Sequence, residues 1–145
     1  MKICYVADAG STHTQKWVKY FADKGHEIHL ISTTSSQDIQ NVNVYTLRYR
    51  RILPMSHPLA LFTNAPPALI FFKRLIRKIG PDVLHLHYIT DYGLLTAFCR
   101  TCPFVATAWG SDVRFDAKIS KISKWSTTFT LKKADLITCD AEHLI

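Results

Sequence analysis

Three short stretches of the sequence carry side chains suited to binding or proton chemistry. "DAGSTH" gathers Asp8, Gly10, Ser11 and His13. "LHLHYITD" holds His85 and His87 two residues apart, followed by Tyr88, Thr90 and Asp91. "AWGSD" sets Trp109, Gly110, Ser111 and Asp112 in a row. An indole can stack on the face of a sugar or a base, and a carboxylate can accept hydrogen bonds from hydroxyls. Gly110 lets the backbone turn or approach a ligand closely. The other reading of this stretch is a tight turn in which Asp112 caps the next segment. Two histidines at that spacing point to one side of a strand. With a carboxylate they could ligate a metal, but the favoured reading makes His85 a satisfied core histidine and His87 a strand-end residue, with no metal. Gly10-Ser11-Thr12 opens a helix, where free N–H groups and the helix dipole suit a phosphate, and Ser11 or Thr12 caps that helix.

These residues need elements to position them. Residues 2–7 read as a buried strand and residues 12–24 as a helix with Trp17, Val18, Tyr20 and Phe21 as its apolar stripe, stopped by Gly25. Strands follow at 27–32 and 42–47, then a long irregular loop over 48–66. Residues 67–79 form a strong helix with Pro67 near its first position and Gly80 at its end. A strand at 82–88 leads into a helix over 90–101 capped by Thr90 or Asp91. A strand at 103–108 is followed by a helix over 118–134 with Ile119, Ile122, Trp125, Phe129 and Leu131 as its apolar side. The last strand, 135–140, ends in Asp140, and 141–145 begins a further helix. Strands that are almost continuously apolar and alternate with helices predict an α/β domain with a parallel sheet covered on both faces. In such sheets ligands bind outside the carboxyl ends of the strands, where the three stretches fall.

Composition narrows the classes. The 145 residues fit one domain, and 48% hydrophobic content is ample for a core. A net charge of +7 suits an anionic partner such as a phosphate-bearing substrate, an acidic lipid surface or nucleic acid, or a plain basic face. Nucleic acid is disfavoured, because no basic stripe is interleaved with aromatics in a known module. No signal peptide and no membrane span is read, and the four cysteines point to buried thiols in a cytosolic protein, with the Cys99/Cys102 pair a weak metal or redox signal. The first loop has neither the G-x-G-x-x-G fingerprint nor a Gly-Lys-Ser/Thr, and the second strand ends in hydroxyls, so dinucleotide oxidoreductases and P-loop NTPases fit poorly.

Four segments in order carry a family resemblance. "MKICYVADAGSTHTQKWVKYFADKGHEIHLIS" resembles the opening of family 4 (group 1) glycosyltransferases. "PDVLHLHY" resembles that family's Pro-Asp-(apolar)-His-x-His segment, "TAWGSDV" its T-x-H-G-x-D motif, and "KKADLITCDAEHL" the last element of its N-terminal domain. The resemblance implies the N-terminal, Rossmann-like, three-layer half of a GT-B fold, here residues 1–145, which shapes the acceptor side of a retaining transferase of hexosyltransferase type. It implies that a C-terminal domain lies outside this chain and holds most nucleotide-sugar contacts and the paired glutamates, so that the chain is truncated and inactive alone. The loop with Gly10 matches the family's glycine loop, reduced here to one glycine, and His13 matches a polar position opening the helix. Trp109 stands where many members carry a histidine, so no catalytic histidine is carried over; Gly110 and Asp112 match their motif positions.

The cleft residues implied are therefore Asp8, Gly10, Ser11, His13, His87, Tyr88, Asp91, Trp109, Gly110 and Asp112. No cofactor is implied, since the nucleotide sugar is a substrate. The acceptor is a sugar or a lipid-linked hydroxyl. Arg48, Arg50, Arg51, Lys73, Arg74, Arg77 and Lys78 fit peripheral contact with an anionic membrane at the inner face of the cell. The competing reading is a non-catalytic module that binds an anionic ligand or a membrane surface.

Overall fold

The computed structural model describes residues 1–32, 38–47 and 60–139, with the backbone alone at 60–65 and 91. Arg48, Arg50, Arg51, Asp140 and the helix expected at 141–145 lie outside the described residues.

Six strands form one sheet in the order β3-β2-β1-β4-β5-β6. They are β1 (Lys2–Val6), β2 (Glu27–Ser32), β3 (Val42–Thr46), β4 (Val83–His87), β5 (Phe104–Ala108) and β6 (Leu136–Cys139). Every neighbouring pair is parallel. The helices are α1 (Thr12–Asp23), α2 (Ala60–Ile79), α3 (Ile89–Cys99), the single turn α4 (Ser111–Arg114) and α5 (Lys121–Lys133), with a 3-10 turn at Asp116–Lys118. The chain leaves β1 towards β2 on one side and returns to β4 on the other, which creates a crevice between the carboxyl ends of β1 and β4.

Alternation along the strands sorts two cores. Cys4 and Val6 of β1, with Leu84, Leu86, Phe104 and Ala106, face Phe72 and Ile76 of α2 and the apolar side of α3. Ile3, Tyr5 and Ala7, with Ile28 and Leu30, face Val18, Trp17 and Phe21 of α1. Tyr20, expected in that stripe, is exposed. Residues 17, 18 and 21 already fill the sheet-facing side, and position 20 lies off it.

Two helix starts differ from the sequence reading. α2 begins at Ala60, within the stretch expected as loop, and carries Pro66 and Pro67 in its interior rather than at its start. Each ring removes one backbone hydrogen bond and crowds the carbonyl four residues before it, so proline is commoner at a helix start, and the sequence reading followed that preference. α3 begins at Ile89, so Thr90 and Asp91 lie inside its first turn and neither is the cap. The N–H of Ile89 is bonded instead by Asp112, 23 residues away. Local spacing carries no trace of a cap supplied from another loop.

α5 departs furthest. Of the apolar residues expected to face the core, Phe129 and Leu131 pack against it, but Ile119, Ile122 and Trp125 are exposed, whereas Thr127 and Thr130 are buried. The reason is a close crossing with α3. A Cβ placed on Gly93 would lie 2.7 Å from Thr130 Oγ1. Glycine therefore lets the two helices approach at this point, with Thr130 inward and its hydroxyl donating to Ser126 O at 2.9 Å.

Candidate functional site

The crevice at the β1/β4 junction is a cleft of about 520 Å³ lined by the ends of several elements. The turn after β1 contributes Asp8 and Ser11, the first turn of α1 His13 and Thr14, and the end of β4 His87 and Tyr88. Tyr92 of α3, Trp109 and Ser111 after β5, and Asp116 of the 3-10 turn complete it. Sequence reasoning had placed Asp8, Ser11, His13, His87, Tyr88 and Trp109 together, and the fold brings all six to this cleft.

His87 is the most unusual of them. Its side is fixed by strand alternation, with Leu86 facing the α2 core and His87 the opposite layer. It is 1% exposed, and neither ring nitrogen has a hydrogen-bond partner among the described residues. Aromatic rings surround it: Trp17 and Trp109 edge-on at 5.5 and 5.3 Å, Tyr5 at 5.3 Å and His85 at 4.6 Å between centroids. Burial, and then the neighbouring His85, pull its pKa down to about 3, so the ring is neutral at any ordinary pH. A neutral imidazole offers one donor and one acceptor, a pairing that hydroxyl groups match.

His85 is satisfied. Its Nε2 lies 2.7 Å from Thr107 Oγ1, which in turn lies 2.7 Å from Thr138 Oγ1, a short polar chain across β4, β5 and β6. Burial lowers its pKa to about 4.

Two groups of residues border His87. Trp109 packs on the exposed His13 with ring centroids 4.9 Å apart. Tyr88 donates to Asp116 Oδ2 at 2.5 Å, and Ser111 Oγ donates to the Tyr88 hydroxyl at 3.3 Å. Tyr88 holds φ of 64°, a conformation that non-glycine residues seldom adopt. Strain of this kind gathers at binding and catalytic sites, where the surroundings hold it in place. Among the described residues, the lining includes two carboxylates and no lysine or arginine.

Asp112 sits elsewhere. Its carboxylate is fully buried and accepts from three backbone N–H groups: Oδ1 from Trp109 at 3.1 Å and Val113 at 3.0 Å, Oδ2 from Ile89 at 2.9 Å. It does not line the cleft. It ties the turn after β5 to the start of α3 and so fixes Trp109 relative to Tyr88. That is the turn-capping alternative, extended to a second element. Gly110 holds φ of 95° in the same turn, which no residue with a Cβ enters without strain.

Gly10 is exposed, and its N–H donates to Asp8 Oδ1 at 2.8 Å, so this donor is occupied within the turn. Ser11 is the N-cap of α1 without a side-chain bond to the helix. Asp91 lies in α3, and its side chain is outside the described residues. Lys73, Arg74, Arg77 and Lys78 are exposed on α2 and do not line the cleft. Thr14, Tyr92 and Asp116 were missed as lining residues. Asp116 carries no signal of its own in "VRFDAK", and only the 3-10 turn brings it back towards Tyr88.

A family model described as "Glycosyl transferase 4-like" matches residues 2–141. No curated protein matches the sequence. Among solved structures, the chain is similar to the Glycyrrhiza uralensis UGT73P12 complexed with glycyrrhetinic acid 3-O-monoglucuronide, at 12% identity and a TM-score of 0.55. The match covers 97% of this chain and 44% of that one, so the chain spans less than half of its neighbour's length. At that identity the likeness speaks for the fold, the Rossmann-like α/β domain found in a GT-B glycosyltransferase.

Proposed function

The chain belongs to the glycosyl transferase 4-like family, and from that premise we propose that it forms the acceptor side of a retaining glycosyltransferase. The observation that carries this reading is the cleft itself. A neutral, buried imidazole with two unpartnered nitrogens stands beside an indole, a phenol and carboxylates. Those groups match a ligand rich in hydroxyls. Ring faces stack on C–H surfaces, His87 exchanges hydrogen bonds with one hydroxyl, and Asp8 and Asp116 accept from others. Buried polar nitrogens without partners cost free energy that a bound hydroxyl recovers.

The contribution of this domain is positioning: it holds the acceptor hydroxyl against the anomeric carbon of a nucleotide-sugar donor. A second domain, outside this sequence, supplies the nucleotide contacts and the acidic pair, and no cofactor takes part. His13 and Trp109 form one edge of the cleft, and Asp112 acts through the backbone as a positioning residue. The acceptor is a sugar or a lipid-linked hydroxyl, and the basic face of α2 favours a place near an anionic membrane in the cytoplasm.

The test is a transfer assay on the full-length protein with a panel of UDP- and GDP-sugars, scoring hydrolysis and transfer separately. Trp109→Ala and His87→Leu are expected to raise KM for the acceptor while leaving donor hydrolysis near its original rate. Unchanged acceptor KM in both variants would remove the acceptor-side assignment. Absence of transfer and hydrolysis across the whole panel would favour the binding-module reading.

A further inference from the structure

Strand alternation alone would turn Tyr88 away from His87, towards the α2 layer. The chain does otherwise. Tyr88 leaves β4 with φ of 64° and ψ of 90°, and after this step its side chain lines the same cleft as His87. Asp116 reaches the cleft from the 3-10 turn after α4. Ala117 is buried and anchors that turn to the body of the domain, while Asp116 stays half-buried.

The Tyr88 hydroxyl donates to Asp116 Oδ2 at 2.5 Å and accepts from Ser111 Oγ at 3.3 Å. The carboxylate is thus held by one oxygen. Among the described residues, Oδ1 has no hydrogen bond and Asp116 has no ion-pair partner. The other carboxylate of the lining differs. Oδ1 of Asp8 accepts from the Gly10 N–H at 2.8 Å, inside its own turn. The remaining titratable groups of the lining are His13, His87 and Tyr92, and Arg114 and Lys118 are exposed on either side of Asp116 in the chain.

We propose that Asp116 is the general base of the transfer, taking the proton of the acceptor hydroxyl, and that Tyr88 is the positioning residue that aims it. This rests on the glycosyltransferase reading given above. The acceptor hydroxyl donates to Oδ1. Its oxygen bonds to the anomeric carbon of the nucleotide sugar as the bond from that carbon to the diphosphate oxygen breaks. The nucleoside diphosphate leaves with the bonding electron pair. The hydroxyl proton passes to Asp116, which later gives it to water. A carboxylate is a weak base towards a resting hydroxyl, but an oxygen bonding to an electron-poor anomeric carbon becomes strongly acidic. His87 is a poorer candidate. Burial holds its ring neutral and resists protonation, so it can accept a hydrogen bond without taking the proton.

The test is single-turnover transfer by the full-length protein, from the UDP- and GDP-sugar panel, between about pH 5 and about pH 9. A single turnover keeps product release from setting the rate. In the original protein the rate is expected to fall on the acid side, as the base becomes protonated. Asp116→Asn keeps the shape of the side chain and its bond from Tyr88. It is expected to lose at least about a hundredfold in rate at saturating acceptor, with acceptor KM within about threefold, and to lose the acid limb. Formate added to Asp116→Ala is expected to restore part of the rate, which a merely structural role would not allow. Tyr88→Phe keeps the carboxylate without its tether, and a loss of about tenfold with the acid limb intact is expected. His13→Gln should keep the limb as well, which separates it from the other titratable edge. Asp116→Asn transferring within about threefold of the original rate overturns the proposal, as does an acid limb that survives in it or an effect confined to acceptor KM. Those outcomes leave the glycosyltransferase reading standing. A full-length original protein that transfers from no donor in the panel overturns both.

Discussion

The cleft buries polar rings among aromatic neighbours, whereas the outer face of α5 exposes apolar side chains among cations. Both invert the usual sorting of residues by polarity. In the cleft the inversion is held by strand alternation, which leaves His87 no other side to face. On α5 it is held by one small residue, Gly93, at a helix crossing. The contrast also locates the charge. The chain carries +7, yet the described residues of the cleft include two carboxylates and no lysine or arginine.

If the cleft depends on buried polar order, breaking that order should cost most. Asp112→Ala leaves three backbone N–H groups without their acceptor, and roughly 3 kcal/mol or more of stability should be lost. Urea unfolding measures it. A loss below about 1 kcal/mol would mean that the turn rearranges to satisfy itself.

Acid should separate the two regions next. His85 and His87 are held neutral, with pKa values lowered to about 4 and about 3, below the ordinary 6.5. Between those limits the unfolded chain binds more protons than the folded one. The stability they contribute is therefore complete above pH 6.5 and falls as the pH drops towards 4 and then 3. A loss of a few kcal/mol by pH 4 is expected, and His87→Leu should flatten the slope. An unchanged slope in that variant would place the acid sensitivity elsewhere.

On the α5 side, Gly93→Ala forces a Cβ against Thr130 Oγ1 and should cost about 1–3 kcal/mol. Adding Thr130→Ala should restore most of it, because the atoms in conflict are then gone. No recovery in the double variant would show that α5 is oriented by something other than this crossing. Smallest of all, Trp125→Ser should shift stability by no more than about 0.5 kcal/mol, as its side chain is exposed. A larger loss would mean that the stack of Trp125 on Phe129 is part of the core.

Much of the fold was legible. Runs such as "VLHLH" and "FVATA" are long enough in apolar and β-branched residues to declare parallel strands, and the positions after them name the cleft. Trp109 and His87 were found this way. Three features were hidden for distinct reasons. The apolar pattern of α5 puts Phe129 and Leu131 on the core as expected, but nothing in its own spacing reveals that the close approach to Gly93, on another helix, seats Thr130 there while Ile122 and Trp125 stay outside. Asp112 was legible as a turn cap as well as a ligand contact, but its bond to the Ile89 N–H, 23 residues away, left no sign in the sequence. Pro67 read as a helix start because proline is commonest there, and the residues before it read as a loop with at most a short helical turn.

The strand order also sets a timetable. β1 is translated before the other five described strands, yet it lies at the centre of the sheet, where Ile3 pairs with Ile28 on one side and Val83 on the other. Its first flank is complete once β3 has emerged, at Thr46, and its second stays open until β4 begins at Val83. At ordinary elongation rates that interval lasts roughly 2–7 s. For those seconds the future middle of the sheet is an open edge, apolar on both faces, on a chain still attached to the ribosome. Nascent chains arrested inside the interval should be protease-sensitive and prone to associate with their polysome neighbours, and chains arrested after β4 should be protected. The centre of the mature domain would then be the most vulnerable part of the growing one.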